Sequence, residues 1–113
     1  MGNPVVRFEI GCRDSDKCKA FFGSLFDWHI EGAGPGLSID TGDAIGGGIT
    51  SLGHEPHRYT MFYVSVADIG ATLAQVEKLG GRKLVGPVPL PTGSFAWFAD
   101  PEGNTIGLWQ PAT

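Results

Sequence analysis

The first half of the chain begins with a strand pattern and continues with a helix pattern. Residues 4–10 alternate between apolar and polar positions, which is the two-residue period of a strand with one buried face. Asp14 or Ser15 can cap a following helix. Its apolar residues recur at spacings of three and four and form one stripe: Cys18, Phe21, Phe22, Leu25 and Phe26. We expect this helix to end near Asp27, and three short strands to follow at 28–32, 37–40 and 44–50.

The same order begins again after a polar loop at 51–58. Residues 59–66 alternate as a strand, Asp68 is a good N-cap, and an apolar stripe predicts a helix that ends at Gly80. A strand at 82–85 and a proline-rich connection at 86–93 come next. The chain closes with a hairpin, whose strands flank the turn Asp-Pro-Glu-Gly-Asn at 100–104.

The two halves therefore predict an α+β fold built from two βαβββ repeats, at 4–52 and 59–111, within one domain that spans 1–113. The repeats are offset by about 55 residues and agree in the order of their elements more than in sequence. Each helix can cover one face of a curved mixed sheet, and we place it on the convex face. The opposite face is then available as a concave wall or as an interface.

Composition and charge exclude several classes of function. A chain of 113 residues can bury one modest core. Its net charge is −4 and its basic residues are scattered, which argues against a nucleic-acid partner. No apolar run approaches the roughly 20 residues of a membrane span, and the N-terminus lacks a secretory signal. We therefore expect a cytoplasmic protein with no membrane partner.

Three segments carry a resemblance to a known family. They are the closing hairpin with its turn at 100–104, the stretch 71–84 with Leu-Gly-Gly at 79–81, and Phe-Phe-Gly-Ser-Leu-Phe-Asp-Trp at 21–28. In this order they resemble the vicinal oxygen chelate superfamily, which includes glyoxalases, bleomycin resistance proteins and extradiol dioxygenases. The resemblance covers nearly the whole chain. It implies a homodimer and a small-molecule pocket between curved sheets.

The resemblance also locates four inward-facing positions that hold the ion in metal-binding members. They fall at or near Arg7, within residues 46–48, at Met61 and at Gly107. Zinc or iron in such a site needs imidazole nitrogen or carboxylate oxygen. Arginine cannot ligate, glycine has no side chain, and methionine offers only a weak sulfur donor. We therefore expect no metal and no other cofactor.

Other metal-binding or nucleophilic residues match no motif. The segment His-Glu-Pro-His at 54–57 lacks the helical spacing of a zinc protease site, so we interpret it as a surface loop. Cys12 and Cys18 match no zinc or redox spacing, and we interpret them as reduced thiols near the start of a helix.

Polar and aromatic residues on the predicted concave face suggest a ligand site. Arg7 and Glu9 lie two residues apart on one strand, so their side chains point the same way. They either form a partly exposed ion pair, or Arg7 binds an anionic or carbonyl group while Glu9 orients the ligand or acts as a base. Four large residues share this face by alternation: Met61, Tyr63, Trp97 and Trp109. These either fill a closed core or dimer interface, or line a pocket for a planar ligand.

Two functions are compatible with these residues. One is metal-independent binding of a small apolar or aromatic molecule in a cup lined by Arg7, Met61, Tyr63, Trp97 and Trp109, as in a protein of the glyoxalase/bleomycin-resistance type. The alternative is an enzyme: a metal-dependent lyase, isomerase or dioxygenase, or a metal-free enzyme that uses Glu9 as its base. Whether the protein is an enzyme stays open at this stage. A closed cup would instead indicate a structural or regulatory subunit.

Overall fold

A computed structural model describes residues 2–53 and 56–113, so His54 and Glu55 of the 54–57 segment lie outside the described residues. The helices and strands follow one another as β1 (Val5–Gly11), α1 (Ser15–Phe26), β2 (His29–Glu31), β3 (Gly36–Asp40), β4 (Gly46–Thr50), β5 (Tyr59–Ser65), α2 (Ile69–Lys78), β6 (Arg82–Leu90), β7 (Gly93–Ala99) and β8 (Thr105–Pro111). This order confirms the α+β class and the two βαβββ repeats. Within the described residues, no helix has the length and apolar character to cross a membrane.

The chain divides into two compact units. One is Val6–Met61. The other consists of Met1–Val5 and Phe62–Thr113. The boundaries fall within β1, after Val5, and within β5, after Met61.

In the Val6–Met61 unit the strands are ordered β2-β3-β4-β1. β1 and β4 are parallel, and the other neighbours are antiparallel. Helix α1 begins after Asp14, whose carboxylate accepts a hydrogen bond from the Lys17 amide at 3.1 Å. The core between α1 and the sheet is made of buried Cys12, Ile30, Leu37, Ile39 and Ile49.

The apolar stripe of α1 is only partly buried, although a single apolar stripe on a helix predicts one buried face. Cys18 and Phe22 pack against the core. Phe21, Leu25 and Phe26 are exposed over 60%, 58% and 52% of their surfaces. Positions 18 and 22 are one turn apart and form a single row toward the sheet, whereas 21 and 25 lie on the neighbouring row. One face of α1 therefore leaves a large apolar surface in solvent.

In the second unit the strands are ordered β5-β8-β7-β6, with β5 and β8 parallel. Helix α2 begins after Asp68, whose carboxylate accepts from the Ala71 amide, and Gly80 ends it at φ +98°. Both ends of the helix agree with the sequence prediction. The core against α2 is made of buried Val66, Ile69, Leu73, Ala96 and Leu108.

The prediction that a strand ends at residue 85 and a proline-rich connection follows at 86–93 is wrong over residues 86–90. β6 continues through them to Leu90 and pairs with β7 along its length, with register shifts on either side of Val85. Pro87 and Pro89 cannot donate hydrogen bonds, but β6 is the last strand in the order of its unit. An edge strand tolerates prolines where a central strand does not, and irregular register absorbs the remaining mismatch.

The closing hairpin formed by β7 and β8 is confirmed. In its turn, the Asp100 carboxylate accepts hydrogen bonds from the backbone amides of Glu102 and Asn104 and from the side-chain amide of Asn104, at 2.8–2.9 Å. These bonds, with that of the Asn104 side chain the strongest, hold the pKa of Asp100 below its ordinary value.

Candidate functional site

A cavity of about 460 Å³ lies in the Val6–Met61 unit, on the sheet face opposite α1. Alternation along β1 decides which residues reach it. Phe8 and Ile10 pack toward α1, so Arg7 and Glu9 point to the other face and line the cavity. β3 and β4 contribute Ser38, Gly48 and Thr50 to its walls. The predicted pair of charged residues therefore does share a cavity.

Arg7 stands against a glycine of the neighbouring strand. A Cβ atom placed on Gly48 would lie 2.7 Å from Nη2 of Arg7, closer than real Cβ contacts allow. Arg7 is itself exposed, so its guanidinium is both positioned by the sheet and reachable from solvent. Any larger residue at position 48 would force the guanidinium to move. The glycine therefore provides the space that the cation occupies.

Glu9 is buried, with only 8% of its surface exposed. The hydroxyl of Tyr59 donates a hydrogen bond to its Oε2 at 2.6 Å. The Tyr59 ring lies over Gly11, and its hydroxyl lies against Gly53, so a Cβ at either glycine would clash with the tyrosine. A buried carboxylate needs such a partner to offset its loss of water. The result is a carboxylate on the cavity wall, held by a phenol that is not itself one of the lining residues of this cavity.

The rim of the cavity carries a further carboxylate. Glu31 lines the cavity and contacts His29, whose Nε2 lies 2.6 Å from its Oε1. Both side chains are about two-thirds exposed, at 67% and 69%, so this pair contributes little to stability. Among the described residues that line the cavity, the charged groups are thus one guanidinium and two glutamates.

In the second unit, the face opposite α2 carries the aromatic residues that the sequence singled out. Tyr63 and Trp97 are buried, and the Trp97 indole N–H donates to the Tyr63 hydroxyl oxygen at 2.8 Å. Trp109 is half-buried, and Phe95 opposite it lies 6.1 Å from the Trp97 ring. The hydrogen bond to Tyr63 gives the buried Trp97 indole N–H a partner within the protein. Tyr63 and Trp97 therefore contribute to packing within their unit.

The residues at the four metal-ligand positions of the vicinal oxygen chelate superfamily are not suited to binding an ion in this chain. At residues 46–48, a Cβ would meet the Ile39 carbonyl, the Phe8 ring or the Arg7 guanidinium at 2.7 Å. At Gly107, a Cβ would press into the ring of Tyr63. The donor chemistry agrees, because neither Arg7 nor glycine offers a ligand atom. Within residues 2–53 and 56–113, no three His, Cys, Asp or Glu side chains converge.

The residues predicted for one cup divide between the units. Arg7, Glu9 and Met61 belong to Val6–Met61, whereas Tyr63, Trp97 and Trp109 belong to the second unit. Arg7 and Glu9 line the 460 Å³ cavity; Met61 is buried with 5% of its surface exposed and is not one of its lining residues. A single cup formed by all of them stays a prediction.

Tyr59 is the site residue that sequence reasoning missed. It stands at the first position of β5, and its partner Glu9 is fifty residues away in sequence. Gly11 and Gly53 make room for its ring and hydroxyl, and these glycines are a signal in the sequence. Isolated glycines in or beside strands indicate a close approach but do not name the group that approaches.

Comparisons with known proteins agree with this fold. The family model described as Glyoxalase/Bleomycin resistance protein/Dioxygenase superfamily matches residues 5–108. A glyoxylase-like domain-containing protein from Didymella fabae is 30% identical over 119 residues, covering 92% of this chain and 91% of its own.

Solved structures with the same fold include a hypothetical protein from Bacillus halodurans C-125, with a TM-score of 0.77 at 12% identity, covering 100% of this chain and 97% of its own. Methylmalonyl-CoA epimerase from Mycobacterium tuberculosis has a TM-score of 0.68 at 16% identity, covering 96% of this chain and 88% of its own. Such low identities establish a shared fold and leave function open.

Proposed function

The chain belongs to the glyoxalase/bleomycin resistance protein/dioxygenase superfamily, and we propose that it binds a small polar molecule with a carbonyl or carboxylate oxygen, without a metal, in the cavity lined by Arg7 and Glu9. The observation that carries this proposal is an accessible guanidinium placed over Gly48 on the wall of a cavity of about 460 Å³. Cavities of roughly 300–1,000 Å³ are the usual size for small-molecule sites.

Arg7 supplies the positive charge that a metal supplies elsewhere. A guanidinium can hold a carboxylate through two parallel hydrogen bonds, and it stays protonated at any physiological pH. Glu9 adds a carboxylate acceptor, which the Tyr59 hydroxyl fixes by donating to its Oε2, and this acceptor favours a ligand that also carries a hydroxyl or amide hydrogen. The combination supports a hydroxy acid, keto acid or similar compound.

An apolar or aromatic ligand, the first expectation from the sequence, receives less support. Among the predicted aromatic contacts, Tyr63 and Trp97 are buried and hydrogen-bonded to each other. The cavity that Arg7 lines also carries Glu9, Glu31 and Ser38. The homodimer and the cytoplasmic location stay predictions.

Isothermal titration with pyruvate, lactate, malonate and benzoate, each against benzyl alcohol as an uncharged reference, tests the proposal. We expect at least one carboxylate to bind and Arg7→Met to weaken it about 10- to 100-fold, which is the worth of one charged hydrogen bond. Arg82→Met, an exposed arginine of β6 in the other unit, is the matched control and should bind normally. Equal affinity in wild type and Arg7→Met would contradict the proposal.

Proton transfer is a second candidate function, favoured by the buried Glu9 carboxylate beside the Tyr59 hydroxyl. Glu9 would accept a proton from the carbon next to the ligand's carbonyl. The electron pair of that C–H bond would form an enolate whose oxygen faces Arg7, and return of the proton to carbon would restore Glu9.

Hydrogen–deuterium exchange at C3 of 2-oxobutyrate in D₂O, followed by proton NMR, separates this reaction from binding alone. Catalysed exchange should be lost in Glu9→Gln and kept in Glu31→Gln, which removes a carboxylate from the rim. If wild type exchanges no faster than buffer, the protein binds without catalysing this step.

A further inference from the structure

A second cavity, with an apolar wall, lies in the Val6–Met61 unit between α1, β1 and the start of β5. Its volume is about 650 Å³, and it shares no lining residue with the Arg7 cavity. Ile10, Phe21 and Phe22 form its apolar wall. Phe21 is exposed over 60% of its surface, which is unusual for so large an apolar residue. Phe21 comes from the exposed row of α1, and Cys18 and Phe22, which also pack against the core, complete the helix side of this cavity.

Positive charge borders this apolar wall. Lys17 and Arg58 line the cavity, and both also line an adjoining cavity of about 610 Å³. The adjoining cavity adds Arg13, and Asp14 is the one carboxylate among its described lining residues. Neither Lys17 nor Arg58 forms a salt bridge to any carboxylate in residues 2–53 and 56–113. In a chain of net charge −4, this is a local concentration of cations next to exposed phenylalanine.

We propose that these two adjoining cavities form a binding site for an amphipathic carboxylate, such as a medium-chain fatty acid. The hydrocarbon tail would cover Phe21, Phe22 and Ile10. The carboxylate would lie at the junction, between Lys17 and Arg58.

Charge complementarity and apolar burial select this class of ligand. A neutral hydrocarbon would leave both cations without a partner, and a small anion such as acetate would leave Phe21 exposed. Burying apolar area stabilises a complex in proportion to the area removed from water, so the tail supplies affinity and the carboxylate supplies orientation. Cys18 lines both cavities and provides a chemical reporter of occupancy.

Titration with octanoate, octanol and acetate tests the proposal, with binding measured by calorimetry and by the rate of Cys18 alkylation in a Cys12→Ala background. In an Arg7→Met background, which removes the other carboxylate site, we expect octanoate to bind at least fivefold more tightly than octanol, acetate not to bind measurably, and bound octanoate to slow Cys18 alkylation. The double variant Lys17→Met/Arg58→Gln should bind octanoate and octanol equally. Phe21→Ser should weaken both ligands.

Lys17, Phe21 and Arg58 are exposed, so their substitutions should leave folding intact. Circular dichroism checks this, and also checks the Cys12→Ala background, which removes a buried side chain. Arg7→Met should leave octanoate binding unchanged, which separates this site from the Arg7 cavity. Lys19→Met, on the same helix outside both cavities, is the charge control. Absence of octanoate binding at millimolar concentration, or binding that is indifferent to Lys17→Met/Arg58→Gln, would overturn the proposal.

Discussion

Substitution of Gly107 by alanine tests whether the fourth metal-ligand position of the family is filled by a neighbouring side chain. A Cβ at this position would lie 2.6 Å from Cε2 of Tyr63 and would also press on Cδ2 and Cγ. Tyr63 is 5% exposed and accepts the Trp97 indole hydrogen bond, so its ring cannot swing into solvent without breaking that bond. The substitution therefore forces a buried ring to move.

The expected cost combines three effects. Overpacking a core costs about 1–3 kcal/mol, and a weakened hydrogen bond adds about 1 kcal/mol. Alanine also lowers the conformational entropy of the unfolded chain, which offsets the cost by about 0.4–1 kcal/mol. We expect Gly107→Ala to lower the free energy of unfolding by about 1–3 kcal/mol. With a urea m-value of about 1–3 kcal/mol/M, the unfolding midpoint should fall by roughly 1 M at an unchanged slope.

Gly36→Ala is the matched control, because no heavy atom lies within 4 Å of a Cβ at that strand position. Its free energy of unfolding should stay within about 0.5 kcal/mol of that of wild type. In a Tyr63→Ala background, which removes the ring, Gly107→Ala should cost much less than in wild type. A Gly107→Ala midpoint equal to that of wild type would refute the claim that Tyr63 fills this position.

Three further substitutions test other parts of the structure. Gly23→Ala, inside α1 with only a backbone oxygen 3.8 Å from the added carbon, should raise the free energy of unfolding by about 0.5–1 kcal/mol in urea melts; a loss of stability would show that α1 is more tightly packed there. Burial, and then the hydrogen bond and charge of Cys18, raise the pKa of Cys12 from 9.0 to about 11. The Cys12 thiol ionises at a lower pH in the unfolded chain than in the folded protein. Its contribution to the free energy of unfolding is therefore fully present below pH 9 and is lost as pH rises toward 11. Wild type should therefore lose on the order of 2 kcal/mol more than Cys12→Ala over that window; equal pH slopes in unfolding experiments would contradict the shift. Asn104→Ala should raise the lowered pKa of Asp100 toward its ordinary value, as measured in a carboxyl ¹³C NMR titration. The free energy of unfolding should then fall less in the variant than in wild type as pH drops through the folded pKa of Asp100. An unchanged titration would refute the role of Asn104.

The fold could be predicted because its signals are local. Asp68 and Gly80 mark the ends of α2 within a few residues of the apolar stripe they delimit, and the turn at 100–104 fixes its own hydrogen bonds. Where prediction failed, a distant part of the chain decided the outcome. The prolines of β6 are accommodated because the strand lies at the edge of its unit, and edge position is a property of the assembled sheet.

The candidate site was predictable in part for the same reason. The two-residue spacing of Arg7 and Glu9 placed both on one face, and both line the cavity. The contact of Glu9 with Tyr59 spans fifty residues, so no local pattern contains it. Likewise, the sequence shows that Gly48 cannot ligate a metal, but only the structure shows that the Arg7 guanidinium occupies its space.

The central claim is that Arg7 holds a small carbonyl or carboxylate compound where no metal site fits. Amide NMR spectra of protein stripped with EDTA, titrated with pyruvate, malonate and benzoate, test it most directly. We predict saturable shifts for residues 36–38 and 48–50 with at least one of these carboxylates, unchanged by the chelator and at least tenfold weaker in Arg7→Met. Shifts that require added Zn²⁺ or Mn²⁺ and persist in Arg7→Met, or no saturable shift with any of them, would contradict the account.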